Sequence, residues 1–144
     1  MRQAWKKLRE PSVFALFLLG SIAFTYPLVR NLRTAVTDHF DPLLDAWTLA
    51  WIAYQLPRDP ARLYDANRFY PETGTLAFHD PMPALGVLLA PIQWVGAAPV
   101  LAVNLGMLLV LALSGYGAYR LGAEVSGSSW AGAVAGSIFA FNSY

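Results

Sequence analysis

Two short segments of this 144-residue chain hold side chains able to move protons or to bind phosphate and metal. The first is Asp38-His39-Phe40-Asp41-Pro42-Leu43-Leu44-Asp45. Asp41 and Asp45 share a face if the segment is helical, and like charges so placed repel unless a cation compensates. A divalent cation held by carboxylates would compensate, as would an arginine. A carboxylate here could instead serve as general base toward a hydroxyl. The second segment is His79-Asp80-Pro81-Met82-Pro83, a histidine and an aspartate held by two prolines ahead of an apolar stretch. It could orient an acceptor or a phosphate, and Arg62 and Arg68 are candidates to pair with that phosphate. Each group also has a plainer use. Asp41 suits a helix N-cap with Pro42 at the first helical position, Asp45 favours the positive helix end, and His39 suits a solvated site. Asp80 can cap a helix that begins at Pro81, and loop arginines commonly pair with local acids such as Asp59, Asp65 or Glu72.

Composition removes several other chemistries. The chain has no cysteine, which excludes disulfides, thiolate metal sites and a cysteine nucleophile. Its formal net charge is only +1, with no basic run after the first ten residues, which excludes a nucleic-acid binder. There is no phosphate-cradling glycine loop, no G-x-S-x-G elbow and no H-E-x-x-H metal motif.

The elements that must position the candidate residues follow from where the charge lies. Charged residues make up 13% of the chain, about half the usual share, and mean hydropathy is +0.42. No charge occurs from Pro11 to Val29, from Pro81 to Tyr119, or from Val125 to Tyr144. A small soluble domain cannot hide 39 consecutive uncharged, largely apolar residues, so the pattern predicts an integral membrane protein. Residues 12–29 form an 18-residue run just long enough to cross the hydrocarbon layer. Arg2, Lys6, Lys7 and Arg9 precede it, which places residues 1–11 in the cytoplasm. No small-x-small cleavage site follows, so a retained span is expected rather than a signal peptide.

Residues 30–80 carry five basic and seven acidic side chains and fall on the extracytoplasmic side, within a first loop over 30–97. Two juxtamembrane helices are expected in that loop, at about 42–56 and 82–95; a short span over 82–95 is the alternative and would invert the topology downstream. Leu43, Leu44, Trp47, Leu49, Ala50, Trp51 and Tyr54 give the first an apolar, aromatic face suited to the membrane–water interface. As one helix, residues 81–119 would reach about 58 Å, too long for one crossing, and Pro91, Gly96 and Pro99 divide them. Residues 98–121 read as a second span ending at Arg120, residues 122–129 as a short loop, and 130–144 as the start of a third. Asn104 and Ser114 within the second span suit helix–helix hydrogen bonds. Gly132-x-x-x-Gly136 gives the last segment a small-residue face. An incomplete third span and an uncovered small-residue face are the grounds for expecting a piece of a longer polytopic protein.

In sequence order, these pieces resemble the start of a bacterial membrane glycosyltransferase of the GT-C superfamily. The nearest likeness is to polytopic proteins described as YfhO-like or glycosyltransferase-39-like. The resemblance runs through Thr25-Tyr26-Pro27, Asp41-Pro42-Leu43-Leu44-Asp45-Ala46-Trp47 with Trp51, and Leu63-Tyr64-Asp65-Ala66-Asn67-Arg68-Phe69-Tyr70-Pro71. It continues through Thr75-Leu76-Ala77-Phe78, Asn104, Leu113-Ser114-Gly115-Tyr116-Gly117, Tyr119 and Phe139-Ala140-Phe141. It implies an all-α integral membrane fold, with transmembrane helices and a large extracytoplasmic first loop containing juxtamembrane helices, as part of a larger GT-C-like bundle. It further implies a multi-pass protein of the bacterial inner membrane whose donor is a sugar on a polyprenyl phosphate. By position, Asp41 is then the leading catalytic base and Asp38 the second. The same two carboxylates are candidates for a divalent cation, Mg or Mn. Asp80 interrupts the His-Pro-Pro-like string of related transferases, which weakens any role carried over to His79. A non-catalytic membrane scaffold or lipid-handling protein is the alternative. A transporter is disfavoured because no span holds an ionisable residue.

Overall fold

The computed structural model describes residues 2–38 and 40–142, with side chains from residue 10 onward. Among the described residues the chain is all-helical: α1 (Arg2–Phe24), α2 (Asp41–Gln55), α3 (Pro83–Trp94), α4 (Pro99–Ser126) and α5 (Ser129–Ala140). Short 3-10 turns occupy Leu28–Asn31, Pro60–Arg62 and Thr75–Phe78. Two compact units result, one of Met1–Arg30 with Met107–Tyr144, the other of Asn31–Gly106.

In the first unit, α1 stops at Phe24, five residues short of the expected end of the first span. The local cause is Pro27, whose ring disfavours helical backbone in the residue before it. The buried Ser21 hydroxyl donates to the Phe17 carbonyl and Thr25 to the Ser21 carbonyl, bonds that help finish the helix. The apolar part of α1, Glu10–Phe24, rises only about 22 Å. Phe17, Ala112 and Tyr119 form the buried centre of this unit. Gly132 and Gly136 of α5 lie against α4, and a Cβ on them would meet the Tyr119 and Gly115 carbonyl oxygens at 2.6 and 2.5 Å. The small-residue face expected to be uncovered is therefore filled. Helix α4 runs to Ser126, beyond the expected end at 121, and breaks at Gly127, whose φ of +67° favours glycine. Helix α5 closes at Ala140, with Phe141 as its C-cap.

α4 is long and apolar enough to cross a membrane by length and composition, and it meets that measure alone among the described helices. Only 39% of its most apolar 18-residue window is buried, whereas the core helix of a soluble protein is mostly covered. Val110 and Leu113 are among its exposed residues, and Leu16 and Leu19 of α1 with Val134 and Ile138 of α5 add further exposed aliphatic surface to this unit.

In the second unit, α2 and α3 pack on each other. Gly86 permits the approach: a Cβ there would strike Ile52 Cδ1 and lie 2.8 Å from its Cγ2. At the far end of α3, Gln93 Nε2 donates to the Leu49 carbonyl (3.1 Å) and Trp94 Nε1 to that of Ala53 (2.8 Å). Leu49, Ile52 and Leu76 are fully buried, each stabilising the unit by roughly 1.5–3 kcal/mol. Both helix starts differ by a residue or two from the expected capping. Phe40, not Asp41, is the N-cap of α2, and Asp41 is its first residue. Met82, in the left-handed region, precedes α3, which begins at Pro83, so Asp80 and Pro81 lie outside it. Neither Phe40 nor Met82 carries a side-chain oxygen to cap the helix, and a proline among the first two helical positions removes one of the N–H groups that would need a partner.

Candidate functional site

The face of α2 that carries Trp47, Thr48 and Trp51 is the floor of a polar cluster, and the segment 63–80 folds over it. The segment is tied down in three places. Trp51 Nε1 donates to the Leu63 carbonyl (2.8 Å) and Leu76 N to that of Tyr64 (3.0 Å). The buried Thr75 hydroxyl donates to the Ala66 carbonyl (3.0 Å). Asp65 accepts from the Gly74 amide at 2.8 Å, which steadies the turn into Thr75–Phe78. These bonds hold Arg68 and His79 near each other although they lie eleven positions apart in the chain.

Arg68 Nη2 donates to His79 Nδ1 at 2.7 Å, and His79 Nε2 lies 2.7 Å from the Thr48 hydroxyl. A guanidinium can only donate, so Nδ1 must present its lone pair. His79 is then neutral with its proton on Nε2, which donates to Thr48 Oγ1. Burial and the Arg68 charge both lower the His79 pKa below its ordinary value, while Asp45 and Asp80 partly offset them. The guanidinium carbon of Arg68 stands 4.7 Å from the centre of the Trp47 ring and 5.1 Å from that of Phe69. Trp47 and Trp51 stack at 6.3 Å with an interplanar angle of 15°. The Arg68 Nε–H is buried and has no hydrogen-bond partner among the described residues. Next to Arg68, Phe69 holds a φ of +60°, a conformation that bulky side chains rarely adopt. Such backbone concentrates at functional sites.

Asp45 is the half-buried carboxylate of the cluster. Its pKa is raised, first by burial, then by the charges of Asp41 and Asp80, with His79 acting in the opposite direction. Asp41 is exposed in the first turn of α2, and Asp80 is exposed beside His79. The side chains expected to do chemistry thus separate. His79 and Arg68 are bonded together, and Asp80 and Asp41 act on the group through charge. Arg62 instead faces solvent, 73% exposed, and pairs with Asp59 at 3.7 Å. Asp38 is exposed in the bend before α2, and His39 lies outside the described residues. Among the described residues no three His, Asp or Glu side chains gather in a way that could hold a metal ion.

Sequence reasoning passed over Thr48, a single hydroxyl inside an apolar helical stretch. Its signal was position: three residues after Asp45 and next to Trp47 on the same turn. Trp47 and Trp51, expected as interfacial anchors, line the polar cluster and are half-buried. No protein family, curated protein or solved structure matches this chain.

Proposed function

We propose that this chain forms the N-terminal part of a membrane glycosyltransferase that moves a sugar from a polyprenyl-phosphate-linked donor to an extracytoplasmic acceptor. The observation that carries this reading is the Arg68–His79–Thr48 relay beside the raised-pKa carboxylate of Asp45. The acceptor oxygen attacks the anomeric carbon, and the bond from that carbon to the phosphate oxygen breaks with its electron pair leaving on the phosphate. The acceptor's proton passes to Asp45, the half-buried carboxylate of the cluster, whose pKa is raised by burial and by its acidic neighbours. Arg68, with an unpartnered Nε–H, stabilises the charge that develops on the departing phosphate. His79 and Thr48 act as positioning residues that keep the guanidinium aimed, and the stacked Trp47 and Trp51 rings offer an apolar wall for a sugar ring. The exposed aliphatic surface of α1, α4 and α5 is consistent with a bilayer setting, where such a donor would be met.

The Asp45 assignment departs from the leading role that position alone suggests for Asp41. Asp45→Asn and Asp41→Asn in the full-length protein separate them, measured as sugar transfer in membranes from a polyprenyl-phosphate donor. Asp45→Asn should lower turnover by about 10²-fold or more. Asp41→Asn should retain most activity and move the acidic limb of the pH profile to lower pH, because a like charge beside Asp45 is gone. Turnover lost in Asp41→Asn but kept in Asp45→Asn would return the role of base to Asp41. Full turnover in both variants would remove both aspartates as the base, and no turnover in the unaltered protein would leave the non-catalytic, lipid-handling reading.

A further inference from the structure

A second feature of the Asn31–Gly106 unit stands apart from the relay. A cavity of about 390 Å³ opens between the end of α3 and the first turns of α4. Its lining is mostly apolar, with Ile92 and Val95 from the end of α3, Leu101 and Leu105 from α4, and Gly96, Ala97 and Ala98 between them. Among the described residues, the charged one lining it is Arg33.

The placement of Arg33 is built rather than incidental. Asn104, 1% exposed, faces the turn that carries Arg33. Its Nδ2 donates to the carbonyls of Leu32 (2.8 Å) and Ala35 (2.7 Å), which flank Arg33 in the chain. The amides of Thr34 and Ala35 both return to the Asn31 carbonyl and tighten the same turn. A buried amide on an apolar helix therefore spends both donors on fixing a short turn, and that turn places Arg33 in the cavity lining. Among the described residues Arg33 has no ion pair, hydrogen bond or aromatic partner. The other loop arginines each have one: Arg30 lies over Tyr26, Arg58 over Tyr54, Arg62 beside Asp59, and Arg68 against His79.

We infer that this cavity takes an anionic phospholipid of the bilayer, with the headgroup phosphate on Arg33 and part of one acyl chain along the Ile92–Leu105 walls. Charge complementarity selects the headgroup, since an unpaired cation at the mouth of an apolar cavity matches an anionic amphiphile. A neutral lipid leaves the guanidinium unanswered, and a small free anion leaves the aliphatic walls unanswered. The cavity also lies at the start of α4, the helix long and apolar enough to cross a membrane, which is the depth at which headgroups are found. Its volume lies within the range of small-molecule sites. The lipid would hold the first loop against the membrane surface, a task separate from the chemistry assigned to Arg68 and His79.

The test is native mass spectrometry of the intact chain, released from detergent with equal amounts of phosphatidylglycerol and phosphatidylcholine of the same acyl composition. One cation near a headgroup predicts about a fivefold preference for phosphatidylglycerol. Arg33→Gln should abolish the preference and Arg33→Lys should keep most of it. Leu101→Trp, which fills the cavity but leaves the charge, should lower retention of both lipids. Arg33 is exposed and its side chain makes no bond among the described residues, so these exchanges keep the fold, which far-UV circular dichroism checks. Three results would each overturn the inference: an undiminished preference in Arg33→Gln, wild-type retention in folded Leu101→Trp, or displacement of the lipid by millimolar inorganic phosphate.

Discussion

At the scale of single residues, the chemistry of the second unit depends on the protonation state of one imidazole. His79 can accept from Arg68 only while Nδ1 is unprotonated. Taking up a proton there removes the acceptor and sets two cations 2.7 Å apart. The lowered pKa of His79 has a defined consequence for stability. Below the ordinary histidine value near 6.5 the unfolded chain binds a proton that folded His79 resists. The contribution is therefore present above that value and is lost as the pH falls below it. Thermal unfolding of the purified chain should show a lower midpoint at pH 5.5 than at pH 7.5, and His79→Gln should flatten the difference. An unchanged slope in His79→Gln would remove His79 as its source. Asp45 works with the opposite sign and lower on the scale. Its raised pKa favours the folded chain below the ordinary carboxylate value of 3.8, a contribution that fades as pH rises through the shifted value.

At the scale of elements, the helices meet through glycines, and the cost of changing them follows from what a side chain would strike. At Gly86 the neighbour is Ile52, where Cδ1, Cγ2 and Cβ all come within 3.0 Å of an added methyl carbon, so rotating one flexible end does not relieve the contact. Gly86→Ala should destabilise the α2–α3 pair by about 1–3 kcal/mol and loosen the α2 face that carries Thr48. At Gly132 the obstacle is the Tyr119 carbonyl oxygen of α4, which is backbone and cannot turn aside. Gly132→Leu should detach α5 from α4. Hydrogen exchange reports the two separately: Gly86→Ala raises exchange in α2 and α3, and Gly132→Leu raises it in α5. Gly86→Ala at wild-type thermal stability would show that Ile52 yields more readily than its burial suggests.

At the scale of the whole molecule, the question is what solvent α4 meets. A helix in water accepts an arginine on an exposed face at little cost, whereas the same residue near a bilayer centre costs about 2.5–3.5 kcal/mol. Leu113 lies near the middle of α4 and is 49% exposed. Leu113→Arg should therefore shift the chain from the membrane pellet toward the soluble fraction on alkaline extraction, while Leu113→Ala should not. An arginine variant as firmly retained as wild type would count against α4 as a span.

How far the residue string could be read differs by level, for physical reasons. Helical periodicity and runs of uncharged residues are local properties, so the all-helical character and the apolar stretches at 98–121 and 130–144 were legible directly. Proline positions marked the beginnings of α2 and α3 to within two residues, but not which neighbour would serve as cap. Asp41 and Asp45 are adjacent on any helix and were visible as a pair. Which of them is desolvated depends on the segment folded over α2, and no spacing rule contains that. The bond between Arg68 and His79 likewise exists because Trp51, Thr75 and Leu76 tie the loop back on itself. Asn104 read as a helix–helix contact, and only the fold sent its amide to the turn at Leu32 and Ala35. Near neighbours and composition were enough to set the helices and the apolar stretches. Which polar groups meet was left to the folded chain, because burial, tautomer and charge coupling belong to residues that come together only when it folds.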